Sequence, residues 1–414
     1  MCFPRSGLPL ISRISGLIAS ALVHAADAQI WVFQPPVTVA APADKDYPHL
    51  DSSGRRNVAV TGNTVAVVWE DNRSGRPAVY LARRLPGATA FSTPEVVSTG
   101  EDEAYEPTIT ALDPSRFVVG WEERGNVWLR SVGPQGMGLP GKLGSGKSAH
   151  VSLTAGPDNQ IAAVWSEEDR AHGRIRAALV HITDAGVPVI RRRAWVEKTA
   201  PKGQQQFPVV VYAPERRQYL AAWEDRRRGH TVLLAARGSA VDAFGSPRRV
   251  NELPPKDPAI KYGRGSGLAR PALANFGGNG IAAIWADKRN FVMGYDIYAA
   301  LDAGRGFGRN LLVQDGFAEQ IEQWRPAVTG SVSGLLVAAF DDDREGTADV
   351  WLAWLDGTKW SENLAVPGAS GPGAQSHASL ALDAGNNLHL VYLEREKPDG
   401  PAAIRYVFGK YKGQ

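Results

Sequence analysis

The sequence predicts an all-β protein: a seven-bladed β-propeller of four-stranded antiparallel blades, its ring closed by an N-terminal strand (33–39) that completes the last blade. Three observations predict it. An apolar run ending in an aromatic, then acid and arginine, recurs seven times. Alternating strands flank each copy. The last copy lacks its final strand, and an unmatched copy of that strand stands near the start of the chain.

The recurring run reads VAVVWEDNRSG (65–75), FVVGWEERG (117–125), IAAVWSEEDR (161–170), YLAAWEDRRRG (219–229), IAAIWADKRN (281–290), LLVAAFDDDREG (335–346) and LHLVYLEREKPDG (388–400). Its aromatics are Trp69, Trp121, Trp165, Trp223, Trp285, Phe340 and Tyr392, spaced 44 to 62 residues apart. That period suits a four-stranded propeller blade. This run is strand B. A strand often opened by Pro precedes it, as in EPTITAL (106–112), FPVVVYA (207–213), RPALANF (270–276) and RPAVTGS (325–331), and is strand A. Strand C follows the acid/Arg turn, as in AVYLARR (78–84), DIYAALD (296–302) and DVWLAWL (349–355). Strand D is an F-x-x-P-x-x-V segment, as in FSTPEVV (91–97) and FGSPRRV (244–250). Period-2 alternation, β-branched and aromatic enrichment and Gly/Pro/Asp punctuation favour strands throughout. The last copy ends at AIRYVFGKY (403–411), and FQPPVTV (33–39) supplies the strand D that it lacks. Stacking seven such sheets radially buries faces that one sheet alone leaves exposed.

Residues 1–28 read as a secretory signal peptide. Arg5 and Arg13 make a basic n-region, ISGLIASALV (14–23) a short apolar core, and cleavage is expected near Ala25 or Ala28. The expected mature chain, 29–414, is a single periplasmic or secreted propeller domain. Cys2 is the one cysteine, so that chain would be free of disulfides and stabilised by packing. No later stretch is apolar enough to span a bilayer. A formal charge of +3 argues against a non-specific nucleic-acid binder. A monomer is expected.

The repeat resembles the BNR-type repeats of the sialidase superfamily, most closely at IAAIWADKRN…YDIYAALDAGRGFGRNLLV (281–313). The resemblance spans about residues 31–412 and implies the propeller. Its catalytic motifs are degenerate. The best Asp-box match, ALDAGRGF (300–307), keeps Asp302, Gly304 and an aromatic but lacks the Ser and Thr. The family's usual blade number is six, and its Tyr/Glu nucleophile pair has no motif match here. The architecture does not bring the chemistry with it.

Aligning the copies on the strand-B aromatic places one residue per blade at the channel mouth, just before strand A: Arg55, Glu106, His150, Phe207, Arg270, Arg325 and His377. Sialidases hold a substrate carboxylate with three arginines, and Arg270-Pro271 and Arg325-Pro326 are similar in placement. Guanidinium groups bind carboxylate, sulfate or phosphate through paired N–H donors. Tyr262 and Trp324, in the D-to-A loops, are candidates for stacking on a sugar ring. The W-x-D-x-R turns, with Asp71, Asp225, Asp287 and Asp342, read as structural because almost every blade repeats them.

Two motifs mislead. GKLGSGKS (141–148) fits the P-loop pattern, but a strand rather than a helix follows it. DDDREG (341–346) begins like a calcium loop, but Leu352 stands at the twelfth position. No metal site and no cofactor is expected. Three function classes stay open. The leading one is a non-catalytic propeller that binds a glycan or other anionic envelope ligand on its loop face. The second is an exo-glycosidase of sialidase type or a polysaccharide lyase acting on a carboxylated sugar. The third is a scaffold for a protein partner of the envelope.

Overall fold

The computed structural model describes residues 29–42, 47–50, 54–253, 267–289, 294–318, 321–397 and 400–413. The leader and Tyr262 lie outside them. The described chain forms seven antiparallel sheets, with one short 3-10 turn at Gly316–Ala318. Six of the sheets run A-B-C-D in chain order from the axis outward. Blade 1 starts at Val58–Thr61 and blade 7 at Ala374–Leu382.

The last blade borrows its outer strand from the N-terminus, as the sequence predicts. That strand starts earlier than the repeat suggests and is broken in two. Trp31–Phe33 pairs with the end of Ala403–Tyr411, Trp31 opposite Tyr411, and Val37–Ala40 pairs with its start, Val37 opposite Tyr406. The break falls at Pro35-Pro36, which have no N–H to give the ladder.

The seven strand-B aromatics are all fully buried. They sit between sheets rather than within one. The core divides into seven clusters, each drawn from two adjacent blades; Trp121, for example, packs with Val68, Val79 and Val97 of blade 1. Trp69 does the same across the seam between blades 7 and 1, with Val39, Ile404 and Tyr406. The final valine of the strand-D motif is the second fixed point. Val97, Val250, Val313 and Val366 are buried, and each donates its N–H to a strand-C carbonyl at 2.7–3.0 Å.

The W-x-D-x-R turns are structural. Asp71, Asp225 and Asp287 are fully buried, and each accepts the indole N–H two residues earlier, at 3.1, 3.4 and 2.9 Å. Each also accepts the backbone N–H two residues later, at 2.9, 3.1 and 2.9 Å, and pairs with that residue's guanidinium. The arginines reach back to the preceding linker rather than forward: Arg227 to Glu197 and Arg344 to Asp315. The Asp-box remnant keeps its turn, with Asp302 accepting the N–H groups of Gly304 (2.7 Å) and Gly306 (3.1 Å) while Arg216 and Arg237 of blade 4 hold its other oxygen. GKLGSGKS runs from a strand-D fragment into strand A, with no helix.

Candidate functional site

Six of the seven rim residues sit in equivalent places, but within strand A rather than before it; Arg55 alone of the seven lies before its strand A, Val58–Thr61, as expected. The six, Glu106, His150, Phe207, Arg270, Arg325 and His377, have φ between 47° and 60°, the left-handed region that side chains disfavour. Each lies where the pairing of strands A and B slips at a β-bulge. Bulges next to sites re-aim side chains. Acids of the preceding blade support four of these bulges. The residue after the strand-B aromatic accepts the bulge N–H: Glu70 from Glu106 (3.2 Å), Glu122 from His150 (2.5 Å), Glu224 from Arg270 (2.7 Å) and Asp341 from His377 (3.0 Å). The second acid of W-E-D thus holds its own turn, and the first holds the neighbour's rim.

Blade 1 departs from the pattern. Gly54, Arg55 and Arg56 cross the axis before strand A begins. A Cβ on Gly54 (φ 78°) would overlap the Pro271 carbonyl of blade 5 and lie 2.8 Å from Val209 of blade 4. The Arg56 guanidinium donates to the Leu273 carbonyl of blade 5 at 3.1 Å. What remains of the channel is about 20 Å³, lined by Ser152, Val210, Leu273, Val328 and Leu380 among others. That is room for about one water, so a ligand must sit on the rim and not in the bore.

The rim divides into two groups. In the first, Arg55 is buried and its Nη2 binds Glu106 and, at 3.5 Å, Glu122. The His150 and Phe207 rings lie 4.0 Å apart, and the Arg270 guanidinium stands 3.8 Å from the Phe207 ring. Burial would raise the Glu106 carboxyl, but Arg55, His150 and Arg270 together bring it down. Burial raises Glu122, and the Glu106 charge adds to that effect. In the second group Arg325 bonds Asp341 at 3.0 Å, and the His377 ring lies 5.4 Å from that of His49. Burial raises Asp341 to about 7 against the pull of Arg325. The Arg325 side chain is 42 % exposed, whereas that of Arg55 is 1 % exposed. The three candidate arginines are therefore unequal. Arg55 is committed to internal acids, Arg270 lies over an aromatic ring, and Arg325 is open. Trp324 is a strand-A residue opposite Asp341, half-buried, with its ring 4.2 Å from Tyr295.

The sequence pattern overlooked three of these features: the bulge-supporting acids, the axial crossing and the Tyr295–Trp324 pair. The doubled acid in WED and WEE was a readable clue to the first. Among the described residues, no group of three or more His, Cys, Asp or Glu could hold a metal ion, and no helix is long and apolar enough to cross a membrane.

No family model and no curated protein matches the chain. Solved structures do resemble it in fold. An α-L-arabinofuranosidase of Fusarium graminearum, in complex with an iminosugar inhibitor, is 12% identical over 91% of this chain and 97% of its own, with a TM-score of 0.47. An α-L-arabinanase of Penicillium chrysogenum, complexed with arabinobiose, is 10% identical over 91% and 98%, with a TM-score of 0.49. A Dyadobacter fermentans protein of unknown function is 10% identical over 92% and 100%, with a TM-score of 0.47. At these identities the likeness is one of fold and extends to no side chain.

Proposed function

We propose that this protein is an exported propeller of the sialidase-like repeat type that binds an acidic glycan on its loop face without cleaving it. The observation that supports this reading is the open Arg325 at a rim of cations, imidazoles and aromatics. Burial raises its carboxylate partner among the described residues, Asp341, against the pull of the guanidinium, which weakens the internal compensation of Arg325. A guanidinium in that state donates a pair of hydrogen bonds to a sugar carboxylate.

One observation favours a hydrolytic second reading. The rim carboxyls are pushed apart, Glu106 down and Glu122 up, the pattern of an ionised group beside a proton donor. Against it, Glu106 and Glu122 share a hydrogen bond and meet on one guanidinium nitrogen. Flanking carboxyls in glycosidases stand about 5 Å apart or more, with the sugar between them.

The test is a glycan array of sialylated, uronic-acid and neutral sugars, probed with residues 29–414 and followed by mass spectrometry of each spot. Acidic glycans should be retained at unchanged mass, and Arg325→Ala should weaken retention by about tenfold or more, the worth of a charged hydrogen-bond pair. A mass loss would replace binding with catalysis. Silence on every sugar would sink both readings and favour a protein partner.

A further inference from the structure

The outer edge of blade 4 carries a second cluster, at strands C and D, across the sheet from the rim residue on strand A. Its strand D is only Arg248–Arg249, paired with Leu234 and Ala235 of strand C. The B-to-C turn of the same blade reads RRRGH (226–230). Between turn and strand lies a cavity of about 240 Å³, with Arg228, His230 and Arg249 among its walls and Leu234, Pro247 and Leu253 supplying apolar surface. The acids near it are already engaged, since Arg227 binds both Asp225 and Glu197. Among the described residues Arg228 and Arg249 have no hydrogen-bond or ion-pair partner, and His230 Nε2 is buried and unpartnered.

Two other clusters of charged and polar groups are bonded internally. Arg55 and Arg325 at the rim are paired with acids. A larger cavity of about 500 Å³, at the seam of blades 7 and 1, is lined by Asp383, His389 and Tyr406, which bond one another. The edge of blade 4 combines cations without a partner among the described residues, an orphaned ring nitrogen and an apolar wall in one concavity. Guanidinium groups match the oxygens of carboxylate, sulfate and phosphate. The leucines and the proline reward a ligand with an apolar body, at about 25 cal/mol per Å² removed from water.

We propose that this pocket binds an oxyanion carried on a short alkyl or aryl body, independently of the glycan reading for the rim. Such a group is found both on soluble anionic amphiphiles and on lipid headgroups. The experiment titrates residues 29–414 with octyl phosphate below its micelle concentration, inorganic phosphate and octyl glucoside, by calorimetry. Octyl phosphate should bind about tenfold or more tighter than inorganic phosphate, and the double variant Arg228→Ala/Arg249→Ala should lose about tenfold or more of that affinity. Both arginines are exposed, so the variant should melt like the parent. Leu253→Asn, at a position 39 % exposed, removes apolar wall without adding charge and should weaken octyl phosphate while leaving inorganic phosphate unchanged. Cosedimentation with phosphatidylglycerol but not phosphatidylcholine vesicles, lost in the double variant, would assign the group to a lipid surface. Binding of octyl phosphate without cosedimentation would assign it to a soluble ligand. Octyl phosphate affinity equal in parent and double variant, or equal affinity for octyl glucoside, would overturn the proposal.

Discussion

His377 shows what the rim asks of one residue. It holds a left-handed backbone, its N–H is accepted by Asp341, and its half-buried ring lies near Arg325, His49 and Arg395. Burial first, and those cations second, lower the ring to about 2. The folded ring therefore stays neutral where the unfolded one takes a proton, below about pH 6.5. The unfolded state then binds more protons, so stability is full above that value and declines as pH falls toward 2. Asn tolerates the left-handed region and does not titrate. His377→Asn should thus gain on the parent by on the order of 1 kcal/mol between pH 7 and pH 5, allowing for the ring's partial exposure. Glu122 and Asp341, whose raised carboxyls act with the opposite sign, are common to both proteins and cancel in the difference. Urea denaturation at the two pH values measures it, and parallel profiles would show that the ring is charged in the folded state.

At the scale of the element, the closing strand is the most consequential piece of chain. Trp31 is fully buried in the cluster between blades 6 and 7, and Val39 is buried in the one between blades 7 and 1. Removing residues 29–40 would uncover both interfaces and strip the hydrogen-bond partners from Ala403–Tyr411. Thermal unfolding of the truncated chain should start about 10 °C or more lower, since several kcal/mol of burial go with the strand. A melt unchanged from the parent would mean that blade 7 stands on three strands. This strand was legible because F-x-x-P-x-x-V repeats. The blades, their aromatics and the structural W-x-D-x-R turns were legible for the same reason: a constraint that acts in every copy leaves a period. The axial crossing left none. Gly54 is needed because a backbone from blade 5 passes it, and no neighbouring repeat has that contact. The Arg228–Arg249 cavity was equally hidden. Its two arginine runs are visible in the sequence, but they meet only once strands C and D are paired.

For the whole molecule, the question is whether the ring behaves as seven units or as one. Neighbouring sheets share every core cluster, and strands join only within a blade. In an open array of this kind, stability is a sum of units and neighbour terms, and a weakened interface lets one end unravel first. The N-terminal strand removes the ends by bonding the first segment of the chain to the last. Arg56 adds a tie across the axis from blade 1 to blade 5. With no free end, damage at any interface must be borne by all of them. Trp121→Ala and Trp285→Ala remove fully buried indoles from interfaces on different sides of the ring. Each should cost about 3–5 kcal/mol, as large-to-small core substitutions do. Both variants should still unfold in one transition, with the denaturant slope of the parent, because the same surface is exposed in a single step. A second transition, or a slope reduced in one variant only, would show that the interfaces fail separately and that ring closure does not couple the blades.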